Sequence, residues 1–161
     1  MIGLDVGDRR IGIAAADALG LTAQGMPTLW RKKPEGDFAA LADVLRERQA
    51  KCLVVGLPKN MNGTISDQGL KVQTFVGDFL AYLEKQALPC PTVVYWDERL
   101  TTVAATRTLL AADVSRKKRK NVVDQLAAVL ILQGYLDRLG HTSGHIRGHT
   151  SLAATLDNQE E

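Results

Sequence analysis

Only two cysteines occur in the 161 residues, Cys52 and Cys90, and they have no CxxC spacing. A disulfide framework or a zinc site is therefore not expected, and a reduced, cytoplasmic compartment fits. No apolar run approaches the ~18 residues that would read as a membrane span. Strand-like alternation begins at Ile2, so no signal peptide is expected. Neither sign of charge dominates. Twenty Lys and Arg face 18 Asp and Glu, and a net charge of +2 does not by itself announce a nucleic-acid binder. Aromatic residues make up 5% of the chain and few look exposed, so base stacking is not expected to carry binding. The rest is an ordinary globular composition, 45% hydrophobic and 24% charged, long enough for one domain with a full core.

Residues 2–17, IGLDVGDRRIGIAAAD, read as a β-hairpin. Ile2, Leu4 and Val6 alternate with Gly3, Asp5 and Gly7, and Ile11, Ile13 and Ala15 resume the alternation after a turn at 7–10. Asp5 thus shares a face with two glycines. A buried, unpaired carboxylate would cost several kcal/mol. Asp5 is therefore either a partly exposed strand residue paired with Arg9 or Arg10, or a metal ligand.

Downstream, 20–29 read as a third strand broken by Gly25 and Pro27, and Phe38 to Ala50 as an amphipathic helix. Residues 52–56 have the pattern of a buried parallel strand. A loop with an Asn62-Gly63 turn leads to a helix from Asp67 to Glu84, capped through Thr64, with Leu70, Phe75, Phe79, Leu80 and Leu83 on its apolar face. A strand at Thr92 to Trp96 follows, then a helix capped by Thr101 or Thr102. The last helix, from Val122 to about Leu139, is capped by Asn121 and apolar nearly all round. A meander followed by two crossovers predicts an α/β fold with a mixed five-stranded sheet and helices on both faces. Residues 1–139 form the predicted domain. Residues 140–161, polar, with three interspersed Gly-His pairs, are a predicted flexible tail.

Two further acids join Asp5. Glu98 ends a presumed parallel strand, where α/β sheets place their ligands, although an acid there also suits the start of a helix. Asp124 lies in the first turn of the apolar helix, where a capping acid is the ordinary reading. Together the three supply carboxylates of the kind that hold Mg²⁺ or Mn²⁺. Two such ions about 3.5–4 Å apart can clamp a phosphodiester. The run Arg116, Lys117, Lys118, Arg119, Lys120 precedes Asp124, and Arg9, Arg10, Lys59, Asn60 and Arg99 lie in turns that could face the same cleft. Such runs are often only solvated loops. Beside a metal site they suit phosphate.

The stretches GLDVGDRRIGIAAAD, GLPKNMNGT, WDERLTT and VDQLAAVLILQGYL resemble the YqgF/RuvX family of bacterial RNase H-like proteins. They are spread over nearly the whole chain except the tail. The family is linked to maturation of the small-subunit (pre-16S) ribosomal RNA precursor and was earlier described as a Holliday junction resolvase. The resemblance implies an RNase H-like fold, with Asp5, Glu98 and Asp124 as the acidic triad. The family usually carries Asp where this chain has Asn62. Both suit the turn, so the change bears only on a catalytic duty for position 62.

The expectation is a divalent-metal-dependent nuclease acting on structured or single-stranded RNA, also on DNA, leaving 5′-phosphate ends. A Holliday junction resolvase would need a homodimer with two sites, and monomer and homodimer both stay open. A non-catalytic ribosome assembly factor is disfavoured by the intact triad. ATPases of the actin and sugar-kinase type need two such domains, and this length supplies one.

Overall fold

A computed structural model describes residues 1–101 and 125–140 of the chain. The elements are β1 (Ile2–Val6), β2 (Arg10–Ala16), β3 (Ala23–Trp30), α1 (Pro34–Glu47), β4 (Cys52–Leu57), α2 (Asp67–Lys85) and β5 (Thr92–Asp97), then a 3-10 turn (Glu98–Leu100). Residues 125–140 form a last helix, α3. The five strands make one sheet in the order β3-β2-β1-β4-β5. β1 to β3 pair antiparallel, and β1, β4 and β5 pair parallel, which is the predicted mixed sheet. Among the described residues, no helix is long and apolar enough to cross a membrane.

Strand alternation divides the core in two. One set of buried side chains, including Leu4, Ile11, Ile13, Leu53 and Val55, packs with Phe38, Leu41 and Leu45 of α1 and with Val72, Phe75, Phe79 and Leu83 of α2. The Phe38 ring lies 5.3 Å from Phe75 and 5.7 Å from Phe79. The other set, with Ala14, Val54 and Trp96 from the sheet, packs with Ala127, Ala128, Ile131, Leu132 and Leu136 of α3. The helices therefore lie on both faces. On the α3 side the approach is close: a Cβ at Gly3 would sit 2.7 Å from Leu132 Cβ and 3.1 Å from the Ala128 carbonyl oxygen.

Several local expectations need correction. α1 starts at Pro34, ahead of Phe38, because proline pre-sets the first helical φ and Glu35 and Asp37 favour the positive helix end. It stops at Glu47, short of Ala50, and Gln49 turns the chain with φ 48°. Ser66, not Thr64, caps α2, accepting from the Gly69 N–H at 3.1 Å. Thr64 instead closes the preceding loop, its hydroxyl donating to Asn62 Oδ1 at 2.6 Å. Leu70 is 53% exposed, since the buried stripe of α2 runs through Val72, Phe75, Val76, Phe79 and Leu83. β3 continues through Gly25 and Pro27. A register shift between Ile11 and Ile13 absorbs the irregularity, and on an edge strand the missing proline N–H is tolerated. α3 is less enclosed than its composition suggests, with Val129, Leu130 and Tyr135 only partly buried. The helix expected after Thr101, the start of the last helix and the tail from 141 lie outside the described residues.

Candidate active site

Asp5 sits in the central strand of the sheet, paired across from Gly12 of β2. On its other side it falls one step past the Leu4–Val55 pair, beside Gly56 of β4. The face follows from alternation: Leu4 belongs to the α1/α2 core, whereas Gly3 lies under α3, so Asp5 stands on the α3 face. It is half-buried there, with glycines as both lateral neighbours. Asp5 makes contacts within the fold and is not a bare charge.

Glu98 begins the 3-10 turn directly after β5. Its carboxylate reaches over the neighbouring strand. A Cβ built on Gly56 would lie 2.7 Å from Glu98 Oε1 and 2.5 Å from Ile131 Cδ1. Glu98 Oε1 thus occupies the space that a side chain at 56 would fill, on the face of α3 and beside Asp5. The two acids, 93 positions apart in sequence, stand on β1 and directly after β5, the strands on either side of β4. Asp124 lies outside the described residues, as do Arg116, Lys117, Lys118, Arg119 and Lys120. Among the described residues, no group of three His, Cys, Asp or Glu is close enough to hold a metal ion. Asp5 and Glu98 are nevertheless hard oxygen donors on one face with no side chain at Gly56 to part them, which fits a divalent cation of the Mg²⁺ type.

Asp97 anchors the rim. It is bound by the Arg99 guanidinium, with Nη2 2.7 Å from Oδ2 and Nε 3.1 Å from each carboxylate oxygen, and it also caps the 3-10 turn through the Arg99 N–H. Lys59 Nζ is 3.8 Å away. The hydrogen bonds from Arg99 hold the Asp97 carboxyl below the usual carboxylate range, and the same pairing raises the guanidinium. A lowered folded pKa stabilises the fold above the ordinary aspartate value, and that contribution fades as pH falls through the lowered one.

Of the basic residues that the sequence assigns to nucleic acid, Lys59 and Arg99 are therefore already engaged with Asp97. Asn60 closes its own loop, its amide donating to Thr64 Oγ1 at 2.9 Å and its carbonyl accepting from Arg99 at 3.4 Å. Arg9 is exposed at the hairpin turn. Arg10 lies over the Trp30 ring, 5.4 Å from its centroid. Few aromatics are exposed, as expected, but Trp30 is one of them, at 50%. Its place opposite Arg10 depends on the β2–β3 register, which the sequence alone does not reveal.

A family model described as "RuvX: Holliday junction resolvase" matches residues 1–138. A protein of Shouchella clausii named "Putative pre-16S rRNA nuclease" is 54% identical over 144 residues, covering 88% of this chain and 96% of its own length. A relative of the same name from Halalkalibacterium halodurans is 52% identical over 140 residues, covering 85% and 95%. Among solved structures, T. thermophilus RuvC in complex with a Holliday junction substrate aligns with a TM-score of 0.49 and 17% identity, over 87% of this chain and 96% of that one.

Proposed function

Because this chain belongs to the RuvX family, we propose that it is a divalent-metal-dependent nuclease that hydrolyses phosphodiester bonds in RNA, with the small-subunit ribosomal RNA precursor as its substrate. That it is a nuclease of an RNase H-like family rests on its relatives. The metal, the RNA and the processing step belong to the proposal. The observation that carries it is the meeting of Asp5 and Glu98 on one sheet face across Gly56.

Asp5, Glu98 and Asp124 would hold the cation or pair of cations, Mn²⁺ or Mg²⁺. A cation held there would polarise the phosphoryl oxygen and lower the pKa of water at the site. Asp5 orients the site from a central strand that is hydrogen-bonded on both sides, so its position costs little reorganisation during reaction. The lack of a side chain at Gly56 lets the Glu98 carboxylate lie over β4 toward Asp5. In-line attack of water on phosphorus breaks the bond to the 3′-oxygen, leaving 5′-phosphate and 3′-hydroxyl ends. Arg9, Arg10 and the 116–120 run are proposed phosphate contacts.

The experiment is cleavage of matched RNA and DNA substrates with Mg²⁺ or Mn²⁺, by wild type and Asp5→Ala, with analysis of the ends. Metal-dependent RNA cleavage lost in Asp5→Ala supports the reading. Metal-independent cleavage, or 3′-phosphate ends, refutes it. The description of the matching family favours a second reading, junction resolution in DNA. That reading requires a dimer presenting two sites, and sedimentation combined with symmetric cleavage of a four-way junction decides it.

A further inference from the structure

The proposed nuclease site occupies one part of a longer edge of the sheet. Arg10 pairs directly with Trp30, and directly paired residues stand on the same face. Arg10 lies two positions before Gly12, the partner of Asp5, so it shares the face of Asp5. Leu29 pairs with Ile11 of the opposite core, which also puts Trp30 on the α3 face. Trp30 is thus about 10 Å across the sheet from Asp5 and about 7 Å along it, by strand spacing and rise.

This corner is held firmly. The Arg31 N–H donates to the Arg9 carbonyl at 2.9 Å, extending the β2–β3 pairing past Trp30. The Arg31 guanidinium donates to the Gly7 carbonyl at 2.8 Å and stacks on Phe75. Arg31 is therefore a brace, not a ligand for substrate. Lys32 and Lys33, in contrast, are exposed and border a groove of about 890 Å³ that runs from Trp30 to the first turn of α1. In its lining, Glu35 is the exposed acid, and Asp37 is buried, accepting from the Lys32 N–H at 3.0 Å.

A half-exposed indole with a guanidinium on one ring face and lysines beside it matches the requirements of single-stranded nucleic acid: a π-face for a base and cations for its phosphates. We propose that Trp30, backed by Arg10, is a stacking platform for an unpaired base of the substrate strand, with Lys32 and Lys33 contacting the adjoining phosphates. It deepens the nuclease reading by naming the substrate class: a strand with an unpaired nucleotide close to the scissile bond, not continuous duplex.

The test uses a short single-stranded RNA and its blunt duplex, without metal, so binding is read apart from cleavage. The second tryptophan, Trp96, is buried, so quenching on titration reports chiefly on Trp30. The single strand should quench the emission, and Trp30→Ala should remove the quench and weaken single-strand binding about fivefold or more. Trp30→Phe should restore most of the affinity, and duplex binding should change less than twofold in either variant. Equal losses for strand and duplex, or a quench that survives in Trp30→Ala, would overturn the platform. If Asp5→Ala abolishes cleavage while Trp30→Ala binds like wild type, the platform alone fails. If Trp30 responds as described but no metal supports cleavage, the nuclease reading alone fails.

Discussion

On the face covered by α1 and α2, the sheet offers Leu4, Ile11, Leu53 and Val55 to the rings of Phe38, Phe75 and Phe79. On the face covered by α3, it offers Gly3, Ala14 and Gly56 beside Val54 and Trp96. Full burial of one large apolar side chain contributes about 1.5–3 kcal/mol, and among the described residues the first face buries more of them. The second gives up apolar area. In exchange, α3 comes close to the sheet, and the carboxylate of Glu98 can lie over a neighbouring strand beside Asp5. The contrast is between a face built for cohesion and a face built for proximity.

The largest separation of the two roles is expected from Asp5→Asn. Cleavage should fall about a thousandfold or more, the several kcal/mol that a metal-held phosphoryl charge is worth. The melting temperature should hold or rise, because crowded carboxylates repel one another. Substrate binding should persist or tighten. A variant that unfolds, or one that still cleaves, would break the contrast at its functional end.

Phe79→Ala tests the other end. Phe79 is 1% exposed, and its loss should cost about 3–5 kcal/mol in denaturant titration. The activity per folded molecule, measured well below the transition, should stay near wild type. A specific loss of activity would show that the two faces are coupled.

Gly56→Ala falls between them. The new methyl would meet the far ends of two side chains, Ile131 Cδ1 and Glu98 Oε1, and both can swing aside. Stability should drop by only about 1–3 kcal/mol. Displacing the Glu98 carboxylate by even 1 Å should lower cleavage about 100-fold. A decline in activity that merely tracks the unfolded fraction would mean that Glu98 needs no fixed position.

The smallest effect is electrostatic. Neutralising Lys117, Lys118 and Arg119 should weaken nucleic-acid binding and lower the slope of log affinity against log salt by roughly 0.7–0.9 for each phosphate that is no longer neutralised. A salt titration that matches wild type would mark the run as solvated surface.

The chain's alternation makes β1, β2, β4 and β5 readable, because a period of two in 2–6 and 10–16 and short apolar runs at 52–57 and 92–97 leave few alternatives. The mixed sheet follows from connection lengths; Asp5 is legible as a carboxylate in mid-strand, and Glu98 as an acid at the carboxyl end of one. What stays hidden depends on tertiary pairing. Nothing local tells that Asp97 takes up Lys59 and Arg99, or that the β2–β3 register sets Trp30 against Arg10. The cap of α2 is illegible for a related reason. Thr64 and Ser66 both qualify chemically, and the loop that joins Asn60 to Thr64 decides between them.

Gln133 of α3 accepts from the Ala23 N–H at 2.9 Å and donates to the Leu21 carbonyl at 3.0 Å, fastening the helix to the β2–β3 turn from 110 and 112 residues away. A chain synthesised from its N-terminus at about 5–20 residues per second makes that turn roughly 5–20 s before the helix that covers it. For that interval the hairpin carrying Asp5 has its glycine-lined face open to water, while α1 and α2 can already settle on the other side. Among the described elements, the helix that covers the face that would do chemistry is thus the last to be made, a delay imposed by the order of elements in the chain.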